Sequence, residues 1–494
     1  MTGTTHRVSR GRTWPQRVLI GVNVLLVVAC LGTAWVLTKV RTALEQVPVV
    51  DVGSALSAPV DVEDPRNILI IGTDSHEGLD KSDPVVKGRL KGENLADVIM
   101  IMRVEPKSGT ARLLSIPRDS RVELPDGSMQ RINAAIGGPQ GPKTLVQTIK
   151  RNFGISIDNY VEIDFAAFKG LVEVLGGVPV YFTTPVRDRN TGLYIDEPGC
   201  RMLDPSQALA YARSRHFEFH QKGKWKTDGS GDLGRITRQQ DFIKRAMRRA
   251  SDLGIRNPST ATGMIDAASS AVVLDDTLNV GNILNILGQF RDFNPDDLVT
   301  HQIPTEAAPR NGVAYQDVIW DDALPLLIPF WASPDGGLAT SSVIVDVRGS
   351  AKASEQLTAV SDALDSAGFD AETFEVRGAP SVTTITYGPN GRDAAVLLAR
   401  HLGTVPKLVE DEEIMGFRVV LSVGKDVPTV RAEPLPVDQL PPSLTTTTTV
   451  AGDGDPSTTA PGDTTTTVIE EGAPQDLAPP GVVPTDPEKA AACH

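Results

Sequence analysis

Residues 18–38 form an apolar run without one charged side chain, about the length a helix needs to cross the hydrocarbon of a bilayer. This run constrains the chain most, because it sorts everything before and after it onto two sides of a membrane. Arg7, Arg10, Arg12 and Arg17 precede it with no acid among them, and only Lys39 and Arg41 follow closely. Positive flanks stay on the cytoplasmic side, so residues 1–17 are expected in the cytoplasm, 18–38 as a single-pass anchor in the cell membrane, and the rest outside. A cleaved secretory signal needs a small-x-small site before a polar stretch, and lipidation at Cys30 needs the chain to turn polar after it. Trp35, Val36 and Leu37 instead continue the run, which favours an uncleaved anchor.

Beyond a Pro-bearing stalk at 39–64, the chain carries a basic island. Between Arg213 and Arg249 stand eleven Lys and Arg against four acids, in a protein with a net charge of −14. The later members, Lys244, Arg245, Arg248 and Arg249, suit a solvated helix face. The earlier arginines have a spacing that can aim them at one point. Asp204 before Pro205 is a helix start, so SQALAYA reads as a short helix ending near Arg213. If the chain then extends, Arg213 and Arg215 share a face. Asp232 and Gly234 precede a second helix, on which Arg235, Arg238 and Gln239 lie on one side. Guanidinium forks match phosphate oxygens, so pyrophosphate is the expected ligand.

Upstream, the apolar run NILII is a buried strand ending at Gly72-Thr73-Asp74, and acids just beyond such strand ends are candidates for function. DVIMIMRV, a turn at 105–110 and ARLLSIP form a hairpin. Pairing Val104 with Ala111 brings Asp97 opposite Arg118 and Asp119 at one end of the sheet. An acid opposite an arginine is also an ordinary salt bridge. With Asp74 added, however, two carboxylates at one edge call for a positive charge between them, and a hard cation such as magnesium supplies it.

The ordered strings NILIIGTDS, ADVIMIMRV, LLSIPRDSRV, RINAA, LDPSQALAYARSRH and DLGRITRQQ resemble the LytR-CpsA-Psr family over residues 65–331. That resemblance implies a membrane-anchored phosphotransferase that moves a glycopolymer from a polyisoprenyl-pyrophosphate carrier to a peptidoglycan hydroxyl. It implies that Asp74 and Asp97 bind Mg2+ or another divalent cation such as Mn2+, and that Arg118, Arg213, Arg215, Arg235 and Gln239 hold the pyrophosphate. Arg238 matches a further family position, and Asp232 or Asp119 is a candidate acceptor of the hydroxyl's proton. A deep apolar pocket for the polyisoprenyl tail is implied too. One departure stands out: Leu95 occupies the place of a usual arginine, with Arg89 or Lys91 as candidate substitutes. Hydrolysis of the same pyrophosphate, or non-catalytic holding of polyprenyl phosphates by a wall or regulatory protein, are the competing readings.

The alternation of strands and helices with one clear hairpin indicates an α/β sandwich with a mixed sheet. After a linker at 332–341, residues 342–430 repeat a β-α-β-α-β alternation, a small second α/β domain that resembles the C-terminal domain often attached to the same family. Residues 431–494, with threonine runs among Pro, Gly and Asp, have a composition that cannot bury a core. The overall acidity argues against a nucleic-acid binder. Three widely separated cysteines exclude a zinc-type cluster. His216 and His220 form no catalytic spacing. Cys200 has Cys493 as its sole external partner, a pairing the sequence leaves open.

Overall fold

The computed structural model describes residues 48–57, 63–75, 79, 83, 95–138, 140–253, 272–278, 293–331, 338–378, 380–412, 414, 416–436, 439–441, 444 and 493. The expected anchor at 18–38, Arg89 and Lys91 lie outside them. Among the described residues no helix is long and apolar enough to cross a membrane.

The first domain is organised on a seven-stranded mixed sheet. Its strands are β1 (Val49–Val50), β2 (Arg66–Thr73), β3 (Ala96–Glu105), β4 (Thr110–Ser115), β5 (Asn159–Ile163), β12 (Val272–Asp275) and β13 (Val299–Gln302), in the spatial order β1-β12-β5-β2-β3-β4-β13. β1 falls within the stretch expected to be a stalk, and it pairs in parallel with β12. The hairpin register is the one the sequence indicates: Val104 faces Ala111, and the ladder runs on to Met100 opposite Ser115.

Alternation along β2 and β3 sends Leu69, Ile71, Ile99 and Ile101 to one face, where each is almost wholly buried. That face is covered by α1 (Gly141–Phe153), whose Leu145, Val146, Ile149 and Phe153 form one apolar stripe. Burying four such side chains contributes roughly 6–12 kcal/mol before entropy is counted. The helix ends at Gly154 in the left-handed region (φ 66°), and a Cβ there would come within 2.8 Å of the Phe417 ring. The other face carries Ile68, Ile70, Val98 and Met102, only partly buried, against Ile243 and Met247 of a later helix.

After β5 come α2 (Phe165–Val174), β6 (Val178–Phe182), β7 (Val186–Asp188), β8 (Leu193–Ile195), β9 (Gly199–Leu203), α3 (Pro205–Arg213), β10 (Glu218–Gln221), β11 (Lys224–Thr227) and α4 (Gly231–Asp252). α3 starts as expected, with Asp204 and Gln207 forming a reciprocal capping box. α4 starts earlier than the sequence suggests, so Asp232 and Gly234 lie within its first turn, where an acid is favoured by the helix dipole. Cys200 on β9 is disulfide-bonded to Cys493.

The second domain is a five-stranded sheet from residues 344–422 with helices Ser354–Ser366 and Arg392–His401. It rests on the C-terminal end of α1. Trp331 donates Nε1–H to the Phe153 carbonyl at 3.1 Å, the Trp331 and Phe417 rings meet at 4.9 Å, and Lys150 pairs with Asp370 at 2.8 Å. Apolar burial is continuous from one domain into the other.

Candidate active site

β2 and β3 end together, and a bulge between Gly72 and Thr73 shifts the register there. The backbone then pins Asp74: its amide donates to Leu95 O (3.4 Å) and its Oδ1 accepts from Leu95 N (3.3 Å). Leu95, where the expected arginine is absent, thus orients the acid through its main chain. Asp97 follows on the neighbouring strand, and Arg118, three residues beyond the end of the β4 ladder, donates to its Oδ1 in a short ion pair.

Two further guanidiniums reach the same oxygen. Arg215 Nη2 lies 3.4 Å from Asp97 Oδ1 and Arg235 Nη1 lies 4.0 Å from it. Arg235 also donates to the Asp97 backbone carbonyl at 3.0 Å. Asp232, one helical turn before Arg235, holds both: its Oδ1 is 3.0 Å from Arg215 Nε and 3.0 Å from Arg235 Nη2. Three arginines and two acids, drawn from a strand, two loops and a helix, therefore meet at one end of the sheet. Arg118 Nε and Arg235 Nε remain buried donors with no hydrogen-bond partner, a state that favours an added acceptor oxygen.

Burial would raise the Asp97 carboxyl, but Arg235, Arg118 and Arg215 together hold it below the usual carboxylate range. Arg235 is 2% exposed. Its burial, with Arg215 and Arg118 nearby, lowers it to about 10 against the pull of Asp232 and Asp97, so it stays charged at neutral pH. Arg118 is pushed down by burial and lifted more by Asp97 and Asp119, for a net rise.

Arg213 and Arg215 leave the chain in different local structure. Arg213 is the last helical residue of α3, so the strand rule applies only after it. Its guanidinium lies 4.7 Å over the Phe165 ring, and the Phe165 amide donates to Ser75 O, beside Asp74. Arg215 turns instead to Asp97 and Asp232. Arg238 and Gln239 share a side of α4 with Arg235 but bind protein. Arg238 donates to Asp228 (2.8 Å) and to Ser214 O (2.8 Å), stacked 4.6 Å over Phe217. Gln239 donates to Ala212 O at 3.0 Å. Asp119 pairs with Arg131 at 3.2 Å and lies 3.7 Å from Arg118 Nε. His216 contacts Asn190, and His220 sits edge-on to Trp225. A narrow cleft lies among Asp97, Ile99, Ser115, Arg118, Arg235 and Gln239.

Sequence reasoning did not single out Asp188, which is fully buried and accepts from Ser214 Oγ (2.6 Å) and His216 N (2.9 Å). It fixes the turn that carries Arg215. An acid closing a short strand, facing a Ser-Arg-His string, was the available signal.

Among known proteins, the probable cell wall biosynthesis protein LcpB of Corynebacterium glutamicum is 32% identical over 266 residues, which is 52% of this chain and 58% of that protein. The polyisoprenyl-teichoic acid–peptidoglycan teichoic acid transferase TagU of Oceanobacillus iheyensis is 28% identical over 259 residues, 51% of this chain and 71% of that protein. The chain thus spans less than two thirds of the first of these. A solved LytR-Csp2A-Psr enzyme from Actinomyces oris aligns with a TM-score of 0.42 at 24% identity, covering 57% of this chain and 97% of that one. The model described as LytR cell envelope-related transcriptional attenuator matches residues 342–426, the second domain. The model of the LytR_cpsA_psr family matches residues 37–324, more than half of the 494-residue sequence and the whole arginine site within it, and the chain belongs to that family.

Proposed function

We propose that the chain is a membrane-anchored phosphotransferase that moves a glycopolymer from a polyisoprenyl-pyrophosphate carrier onto a peptidoglycan hydroxyl. The observation that carries this reading is the convergence of Arg118, Arg215 and Arg235 on Asp97, with two buried Nε–H groups lacking an acceptor. A diphosphate supplies acceptor oxygens and spreads negative charge over three guanidiniums. The new bond joins the acceptor oxygen to the glycopolymer's phosphorus. The bond from that phosphorus to the lipid phosphate breaks, and polyisoprenyl phosphate leaves. Phosphoryl transfer of this kind depends on positioning and electrostatics and needs no nucleophile from the protein. The acceptor's proton would pass to Asp232 or Asp119, the two acids beside the arginines. The lipid would lie along the partly buried face of Ile68, Ile70, Val98 and Met102 beneath α4, and residues 18–38 would anchor the chain.

Asp74 and Asp97 would hold a divalent cation. Both are hard oxygen donors, and among the described residues the arginine contacts to the Asp97 carboxylate fall on Oδ1. Among the described residues no three His, Cys, Asp or Glu stand together. This suits magnesium, which commonly takes one or two carboxylates and completes its shell with water and substrate phosphates. When bound, the ion would neutralise charge on the leaving phosphate.

The test is transfer of labelled donor to peptidoglycan by the full chain in detergent, with and without acceptor and EDTA. Transfer that Arg118→Ala abolishes, with folding retained, supports the reading. Equal phosphate release without acceptor would indicate hydrolysis. Donor binding without turnover would indicate a non-catalytic carrier, and indifference to EDTA would remove the metal.

A further inference from the structure

The basic surplus of residues 213–249 is not spent on the anion site alone. Lys222, Lys224 and Lys226 stand on the β10–β11 hairpin, with Gln221 opposite Lys224. The two turn residues, Lys222 (φ 49°) and Gly223 (φ 76°), both have positive φ, the two-residue turn that matches strand twist. This hairpin pairs through β7 with β8, giving a four-stranded sheet in the order β8-β7-β10-β11.

Cross-strand partners share a face. Tyr194 faces Arg187, Arg187 faces Glu218, and His220 faces Trp225. The opposite face sends Val186, Leu193 and Ile195 into a core. The outer face is therefore a built surface of two aromatic rings and cations. Tyr194 is 60% exposed. The Arg187 guanidinium lies 4.0 Å over the Trp225 ring and is ion-paired to Glu218, so it is fixed in orientation. Arg189 stands beside them, 3.9 Å from Glu218 and largely exposed.

We infer that this outer face binds the glycan strand of the peptidoglycan acceptor, an inference that rests on the transferase reading above. The apolar C–H face of a sugar ring lies well on an aromatic ring, which gives large contact area with little entropy to lose. The carboxylates of the stem peptides suit Arg187 and Arg189, which stand on this face beside Glu218. A lipid or an amphipathic helix would need a continuous apolar groove, and the charged rows do not provide one. A small phosphate needs no rings.

The placement favours the acceptor over the donor. Both ends of the hairpin run into the anion site: Arg215 comes three residues before Glu218, Asp232 comes five after Thr227, and the two are 3.0 Å apart. A polymer lying on this face therefore leads to the arginines. The donor's diphosphate occupies those arginines, with its lipid on the apolar sheet face, so the incoming hydroxyl needs a separate approach roughly in line with the leaving group.

The experiment titrates the full chain in detergent with soluble, uncrosslinked glycan strands bearing stem peptides, in wild type and in Tyr194→Ala and Trp225→Ala. Inorganic pyrophosphate and a soluble anionic glycopolymer serve as separate titrants. The double variant should lose about tenfold in affinity for glycan strands, equivalent to the ~1.4 kcal/mol of one decade, with pyrophosphate affinity and melting temperature unchanged. Arg118→Ala, which tests the transferase reading, should bind glycan strands like wild type. Unchanged glycan affinity in the double variant overturns the inference. So does a loss confined to the soluble glycopolymer, which would assign the face to the donor. If Trp225→Ala alone fails to fold, the exposed Tyr194→Ala decides, with a loss of about threefold expected and no loss refuting.

Discussion

Replacing Asp97 with Asn keeps the shape of the side chain and removes its charge, at the point where three guanidiniums meet. In the wild type, Arg118, Arg215 and Arg235 face Asp97 and Asp232, a local surplus of one positive charge; in Asp97→Asn the surplus is two. Arg235 is 3% exposed at its side chain, so solvent cannot make up the loss, while Asp97 itself is 27% exposed. Removing one member of a buried ion network costs about 3–5 kcal/mol, and the partial exposure of Asp97 brings this to about 2–3 kcal/mol. At roughly 2–4 °C per kcal/mol for a chain segment of this size, the melting temperature should fall by about 5–10 °C. The assay is thermal unfolding in EDTA, so that loss of a metal ligand does not contribute, with and without saturating inorganic pyrophosphate. The anion replaces the missing negative charge, so it should raise the melting temperature of Asp97→Asn more than that of wild type. A variant as stable as wild type would refute the claim that Asp97 holds the arginines. Equal pyrophosphate shifts in both chains would refute the claim that the anion binds where Asp97 points.

Acid should reveal the same group. The Asp97 carboxyl is held below its ordinary 3.8 by the arginines, so its ionised form contributes stability that is present above that value and lost as pH falls through the lower folded value. The stability difference between wild type and Asp97→Asn, measured by urea titration, should be constant from pH 5 to 7 and shrink below about pH 4; a constant difference down to pH 2 would contradict it. At the domain junction, Phe417 is 1% exposed against Trp331 and Gly154, so Phe417→Ala should cost about 3–5 kcal/mol. Calorimetry should then show the two domains melting apart, and an unaltered single transition would mean that the junction contributes little.

Much of the site could be read before any coordinates because local rules governed it. The turn at 105–110 and the alternation on either side fixed the hairpin register, and register alone brings Asp97 toward Arg118. The Asp204-Pro205 start gave α3 correctly for the same reason, since caps are local. The parts that were missed depend on partners distant in the chain. Arg213 and Arg215 are two apart, yet helix geometry persists through Arg213 and breaks at Ser214, so one turns to Phe165 and the other to Asp97. β7, β8, β10 and β11 are three or four residues each, too short for periodicity to register, and all but β8 carry charge. The edge strand Asp370–Val376 is mostly exposed and acidic, and only its parallel pairing with the strand at 344–350 identifies it. How the second domain sits was equally hidden, because Phe417, Trp331 and Gly154 come together only in three dimensions.

The helix α4 shows why a string of matched positions need not share one task. Arg235, Arg238 and Gln239 lie on one side of it, and sequence alone aims all three at the anion. Only Arg235 reaches Asp97 and Asp232. Arg238 donates to Ser214 O and Gln239 to Ala212 O, the two carbonyls that flank Arg213. Arg238 can do this because Asp228, 3% exposed, neutralises it at 2.8 Å, and because Phe217 covers its guanidinium. These side chains therefore clamp the backbone at the helix-to-strand turn from which Arg213 and Arg215 diverge, with Asp188 holding Ser214 and His216 from the other side. A guanidinium on a freely moving loop would spend side-chain and backbone entropy on every phosphate contact. One fixed beforehand does not, and electrostatic stabilisation of a transferring phosphoryl group depends on such prior fixing. A lysine at 238 would keep the charge and one contact but could not span Asp228 and Ser214 O together, so the turn would loosen while Arg118 and Arg235 kept their contacts to Asp97.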